Sequence, residues 1–270
     1  KSKFLKSNNR IVMYKTQNLL FKQLKILKEE YNIFGIKAEF EAEGSSYRDL
    51  NRLSKICLPL NVPLYLKIGG PEAVRDIKDA LELGVEGIIA PMIESKFAAK
   101  KFIDAYKKIY QDAPINTSLN IETKTGIENI EEIVEYAAGS VNNITIGRSD
   151  LSGSYFEDGL TTDSDFILNS IENVAPLVHG NNMTLTVGGK VTQKTIEAIN
   201  NNFPNLKQLI TKLETRKVMF FTNDLIDQKG SITQALKFEE LYILSKKEYS
   251  DMFIDSEISR LTELSRRTGS

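Results

Sequence analysis

From residue 16 to about residue 213, amphipathic stretches at helical spacing alternate with short, nearly continuous apolar runs. Residues 18–30 read as a helix and 33–40 as an extended run. Residues 47–57 carry Leu50, Leu53 and Ile56 on one helical face, and 62–66 read as the next strand. The alternation continues with a helix over 73–83, where Pro71 is placed at the first turn and Gly84 is a stop. It runs on through a strand over 87–93, a helix over 97–110, a strand ending at Glu122, a helix over 127–138 closed by Gly139, and a strand ending at Asp150. A helix over 163–178, a strand over 184–189, a helix over 191–200 and a final strand over 206–213 complete the series. Strands separated by helices mean parallel pairing with crossover connections. Runs such as 87–93, apolar throughout, suit strands covered on both faces.

Seven such strands, with a candidate eighth over 10–14, predict a closed (β/α)8 TIM barrel over residues 1–225. An open doubly wound sheet is the runner-up, but no Gly-x-Gly-x-x-Gly or Gly-x-x-x-x-Gly-Lys-Ser/Thr turn supports a nucleotide site in it. Residues 226–270 form a helical extension of two amphipathic helices, 232–244 and 249–267. It is either a cap on its own barrel or an oligomer contact.

Composition narrows the partners. The chain has 270 residues, 41% of them hydrophobic, enough to bury a substantial core. Its 35 basic and 36 acidic residues are interspersed, without the basic field that nucleic acid demands. That balance leaves a small-molecule or protein partner, and with no apolar stretch long enough to span a membrane and no signal-peptide pattern at the start, a cytoplasmic protein is expected. One cysteine, Cys57, excludes an intramolecular disulfide and a cysteine-built zinc cluster. The single histidine, His179, reads as the end of a helix, where a cation is favoured. Acid-base chemistry therefore falls to carboxylates, lysines, tyrosines or water.

In a barrel the strand-end residues Glu41, Lys67, Glu94, Glu122, Asp150, Gly188 and Glu214 would succeed one another around one rim, where such folds carry their active sites. Glu122 and Asp150 stand one strand-plus-helix repeat apart and offer oxygen donors alone, which favours Mg2+ or Mn2+. A structural ion-pair network with Lys124, Arg148 or Lys67 is the bland reading of the same pair. Lys67, followed by Gly69-Gly70, offers a cation beside a flexible turn that could accept a carboxylate; alternatively it is a Schiff-base nucleophile.

Three segments carry a resemblance to a known family: residues 120–126 (Asn-Ile-Glu-Thr-Lys-Thr-Gly), 146–154 (Ile-Gly-Arg-Ser-Asp-Leu-Ser-Gly-Ser) and 84–95. From about residue 34 to 189 the chain resembles the HpcH/HpaI aldolase and citrate lyase β-subunit family, among the pyruvate and phosphoenolpyruvate barrels. The resemblance implies divalent-metal-dependent aldol cleavage or condensation of a 2-oxo acid through an enolate, and a homo-oligomer. It carries the metal carboxylates onto Glu122 and Asp150, a supporting amide onto Asn120, and the keto-acid contacts onto Gly147, Arg148 and Ser149. The family's carboxylate-binding arginine falls on Lys67, which keeps the charge and loses the bidentate fork. Where the aldolases place a histidine base this chain has none, which leaves Glu41 or Glu43 for that role. Arg148 stands where the aldolases commonly have proline and could read an additional anionic group. A divergent lyase is thus expected, with a non-catalytic binding barrel or a Lys67 Schiff-base lyase as alternatives.

Overall fold

The computed structural model describes residues 14–268, so the candidate strand over 10–14 falls almost wholly outside the described residues. The chain opens with α1 (Lys15–Tyr31), β1 (Gly35–Glu39), α2 (Tyr47–Cys57), β2 (Leu64–Lys67), α3 (Val74–Leu83), β3 (Gly87–Ala90) and α4 (Lys96–Tyr110). It continues with β4 (Asn116–Ile121), α5 (Lys124–Glu128), α6 (Ile130–Ala137), β5 (Asn143–Gly147), α7 (Arg148–Gly153), α8 (Asp165–Gly180) and β6 (Thr184–Gly188). It ends with α9 (Gln193–Asn201), α10 (Leu206–Leu209), β7 (Lys212–Glu214), β8 (Val218–Phe221), α11 (Thr222–Asp227) and α12 (Ser231–Thr268). The eight strands close into a barrel in sequence order.

Seven strands are parallel as expected, but the eighth comes from a different place and runs the other way. β8 pairs antiparallel with both β7 and β1. Three residues separate β7 from β8, too few for a crossover helix, so the chain reverses in a hairpin. Thr215 closes the turn with its backbone amide on the Val218 carbonyl (2.9 Å) and its hydroxyl accepting the Val218 amide (3.0 Å). The expected last strand over 206–213 is corrected accordingly: residues 206–209 are the short helix α10, and the sheet resumes at Lys212.

Other boundaries shift for local reasons. Pro71 lies in the turn before α3 rather than in its first helical turn. The helix expected over 127–138 is split into α5 and α6 at Asn129. Gly84 (φ +65) and Gly139 (φ +70) do take the left-handed conformation that ends a helix. The strand expected to end at Asp150 stops at Gly147, level with Gly188 of β6, and turns directly into α7.

The main core lies between the barrel and its helices, where alternate strand residues such as Ile36, Ala38, Leu64, Leu66, Ile144 and Ile146 pack outward against the helices. Inside the barrel the apolar content shrinks to Tyr65, Ile89 and Met219, with Phe34 against them. The two C-terminal helices expected are a single one, since no glycine or proline interrupts residues 231–268. Its first half packs along α1, with Gln23 Nε2 donating to Gln234 Oε1 (2.8 Å) and Tyr249 donating to Gln17 Oε1 (3.0 Å). It buries Ala235, Phe238 and Tyr242 in the main core. Residues 251–268 are exposed on every face. No helix among the described residues is long and apolar enough to cross a membrane.

Candidate active site

A cavity of about 620 Å³ opens at the C-terminal ends of the strands. Its lining draws on nearly every part of the rim: Lys37 and Glu39 from β1, Lys67 from β2, Asn120 and Glu122 at the end of β4. Gly147 and the first turn of α7 contribute Ser149 and Asp150, and Gly188, Glu214 and Arg216 complete the circle. Leu236 and Glu239 of α12 close one side.

Glu122 is buried at 3% exposure, whereas Asp150 is open to solvent. Glu122 Oε1 accepts the Met92 amide (3.0 Å), and Oε2 accepts from Asn120 Nδ2 (3.3 Å). Met92 is held at φ +52, an uncommon conformation for a residue with a side chain, adjacent to the carboxylate its amide binds. Burial raises the Glu122 carboxyl above its ordinary range, and the negative Asp150 adds to the shift while Lys67 and the Met92 amide oppose it. A cation between the two carboxylates would relieve that cost.

Glycines make the room. A Cβ on Gly147 would stand 2.5 Å from Glu122 Oε2, and one on Gly188 would stand 2.8 Å from Glu214 Oε1. Gly189, at φ +84, lies so close to α7 that a Cβ would come within 2.5 Å of the Ser149 nitrogen.

Beside this pair lies a buried ion network. Lys37 Nζ donates to Glu214 Oε1 at 2.5 Å and lies 3.6 Å from Glu39, which in turn is 3.7 Å from Lys67. Burial alone would depress the Lys37 ammonium, but Glu214 and Glu39 outweigh it and hold its pKa above the usual value. The same balance, reversed in sign, keeps Glu39 below the usual carboxylate range: burial opposes, and Lys37 and Lys67 prevail. Glu214 Oε2 is buried with no hydrogen-bond partner among the described residues.

Residues 68–167 match the model of the HpcH/HpaI aldolase/citrate lyase family. Over that stretch the chain is similar to the family, at a distance. Its fold also resembles solved structures of low sequence identity. An HpcH/HpaI aldolase from Desulfitobacterium hafniense DCB-2 has a TM-score of 0.60 at 15% identity, over 84% of this chain and 90% of that one. The citrate synthase SbnG gives 0.57 at 15% identity, over 87% and 90%. An HpcH/HpaI aldolase/citrate lyase family protein from Burkholderia cenocepacia J2315 gives 0.56 at 14%, over 82% and 88%. None of the curated proteins matches the sequence.

Against the HpcH/HpaI pattern, Lys67, Asn120, Glu122, Gly147, Ser149 and Asp150 come together around one cavity. Three other expected residues do not. Arg148 is fully buried, and each of its five N–H donors has a protein acceptor: the Gly188, Gly189 and Thr162 carbonyls, Asp163 Oδ1 and Thr195 Oγ1. It clamps α7 onto the β6 and α8 ends and has no donor left for an anion. Glu41 is exposed, outside the cavity lining, with its side chain against Gly69. Glu43 pairs with Lys217 and Arg216. The Gly69 amide is taken by Asp76 Oδ2 (2.8 Å), so that turn offers no free amide there for a carboxylate. Glu94 is also exposed and outside the lining. His179 caps nothing catalytic: its Nε2 meets the Leu209 carbonyl at 2.7 Å.

The residues missed from sequence are Lys37 and Glu39. Their signal was present in Gly35-Ile36-Lys37-Ala38-Glu39, where two charges alternate with two apolar residues, the period of a strand with one face inward.

Among the described residues no group of three or more His, Cys, Asp or Glu gathers as a metal centre. The donors that do converge are hard oxygens: Glu122, Asp150 and Asn120 Oδ1, which is buried and has no hydrogen-bond partner among the described residues. That set fits a divalent cation whose remaining positions go to water and substrate.

Proposed function

We propose that the chain is a divalent-metal-dependent carbon-carbon lyase that cleaves or forms a 2-oxo acid through a pyruvate-type enolate. One observation carries the reading. Buried Glu122 and open Asp150 share a cavity with the Lys67 ammonium, pairing hard oxygen donors with a cation for a substrate carboxylate. Mg2+ or Mn2+ held by Glu122 and Asp150 would supply Lewis-acid polarisation of the 2-oxo carbonyl.

The chain's own residues do the rest. Lys67 binds the substrate carboxylate as a point charge, steadied by Glu39 at 3.7 Å. The ion pair with that neighbour suits electrostatic binding rather than a Schiff base. Asn120 and the Met92 amide orient Glu122. Gly147 and Ser149 form the wall against which the keto acid lies. For the proton we assign Glu214 Oε2, a buried oxygen without a partner on a cavity-lining residue, in place of Glu41. A cytoplasmic location and a homo-oligomer go with this reading.

The test is pyruvate-aldehyde condensation and cleavage with and without EDTA, on the wild type and on Glu122→Gln. Activity should vanish in EDTA, return with Mg2+ or Mn2+, and fall by at least roughly a hundredfold in the variant. Metal-independent turnover, or an unimpaired Glu122→Gln, would overturn the proposal.

A further inference from the structure

A second cavity, of about 730 Å³, lies at the opposite end of the barrel, where the strands begin. It is larger than the first and shares none of its lining. One wall is apolar: Phe34, Tyr65 and Ile89, with the two rings 5.4 Å apart. Gly87 admits the Tyr65 ring there, since a Cβ at that position would stand 2.2 Å from it.

The facing wall is polar and already assembled. Asn143 Nδ2 donates to Ser118 Oγ (2.8 Å) and Thr145 Oγ1 (3.0 Å), and its Oδ1 accepts from Thr184 (2.7 Å) and Thr186 (2.8 Å). Every polar atom of that amide is used, so the wall is rigid. At its edge stands Lys212, 8% exposed. Its Nζ reaches Thr184 Oγ1 at 3.3 Å and lies 4.8 Å from the centre of the Phe34 ring. No carboxylate among the described residues pairs with it. Lys37, by contrast, has both Glu214 and Glu39.

A buried ammonium without a counter-ion is costly, and burial lowers Lys212 to about 8 even with Glu214 opposing the shift. A group that completes the site must therefore bring a negative charge for Nζ and an apolar body for the aromatic wall. We propose that the lower cavity binds a small organic carboxylate carrying an aromatic or compact apolar group, its carboxylate on Lys212 and its body against Phe34, Tyr65 and Ile89. This site is separate from the upper cavity and independent of the reaction proposed for it.

Benzoate is the probe, with neutral benzamide as its control. Calorimetric titration of the intact chain at neutral pH should show saturable benzoate binding that benzamide does not reproduce. Lys212→Met should weaken it at least tenfold, Lys212→Arg should keep it within about threefold, and Lys67→Met, in the upper cavity, should leave it unchanged. Should Lys212→Met fail to fold, the wild type still decides: benzoate must shift the Ile89 methyl and Tyr65 ring resonances on saturation. Absence of binding, equal binding of benzamide, retention in Lys212→Met, loss in Lys67→Met or unmoved Ile89 and Tyr65 signals would each overturn the site.

Discussion

Gly147 illustrates how a single residue can decide whether two carboxylates work together. A methyl group there would occupy the space of Glu122 Oε2, 2.5 Å away, and push the carboxylate off the Met92 amide. Gly147→Ala is expected to lower stability by about 1–3 kcal/mol through overpacking. On the proposed metal reading its larger effect should be on the cation: Mg2+ affinity by calorimetry should drop roughly tenfold or more, as for lost support of a metal ligand. Lys37 works in the opposite sense, holding charge together rather than making room. Lys37→Met strands Glu214 in the barrel interior and leaves Glu39 with Lys67 alone, and urea unfolding should register a loss of about 3–5 kcal/mol. Adding Glu214→Gln to Lys37→Met should recover part of that loss, because one orphaned charge is then gone.

At the scale of elements, α12 divides sharply in its contribution. Phe238 is fully buried, and Phe238→Ala should cost about 3–5 kcal/mol. The segment 251–268 is exposed throughout, so a chain stopped after Ser250 should keep its thermal and urea stability within about 0.5 kcal/mol. Both are read by the same melting experiment. α7 is the other decisive element. It lifts Asp150 out of the strand and presents it from a helical turn, and the Arg148 clamp fixes that turn to β6 and α8. The motif over 146–154 made Asp150 visible in the sequence; the direction of Arg148 was not, because a guanidinium's partners lie up to 47 positions along the chain. The hairpin that supplies β8 was hidden for a similar reason. Val218-Met219-Phe220-Phe221 is short and follows three polar residues, and only closure of the barrel identifies it as a strand.

For the molecule as a whole, the apolar core forms a jacket around a barrel whose interior is mostly polar and charged. Stability should therefore depend on pH more than for an apolar barrel. Glu39, depressed in the fold, contributes stability that is present above its ordinary 4.5 and lost as pH falls through its folded value. Lys37, raised in the fold, contributes stability that is complete below its ordinary 10.5 and lost as pH rises through its folded value. Both contributions are complete between those limits, and Glu39→Gln should flatten the acid side of the urea-midpoint profile most, while also easing the alkaline limb because Glu39 helps to raise Lys37. An acid limb unchanged in Glu39→Gln would remove Glu39 as its source.

By itself the sequence determined the alternating elements, the closed parallel architecture through seven strands, and the carboxylates Glu122 and Asp150 at one rim. These follow from periodicity and local spacing, which short segments carry complete. The tertiary structure alone decided that the eighth strand runs antiparallel, that Arg148 is a clamp, that Glu41 lies outside the cavity, and that Lys37, Glu39 and Glu214 share its interior. Those outcomes depend on which side chains meet across the barrel, and contacts between strands distant in sequence leave no periodic trace in any one of them.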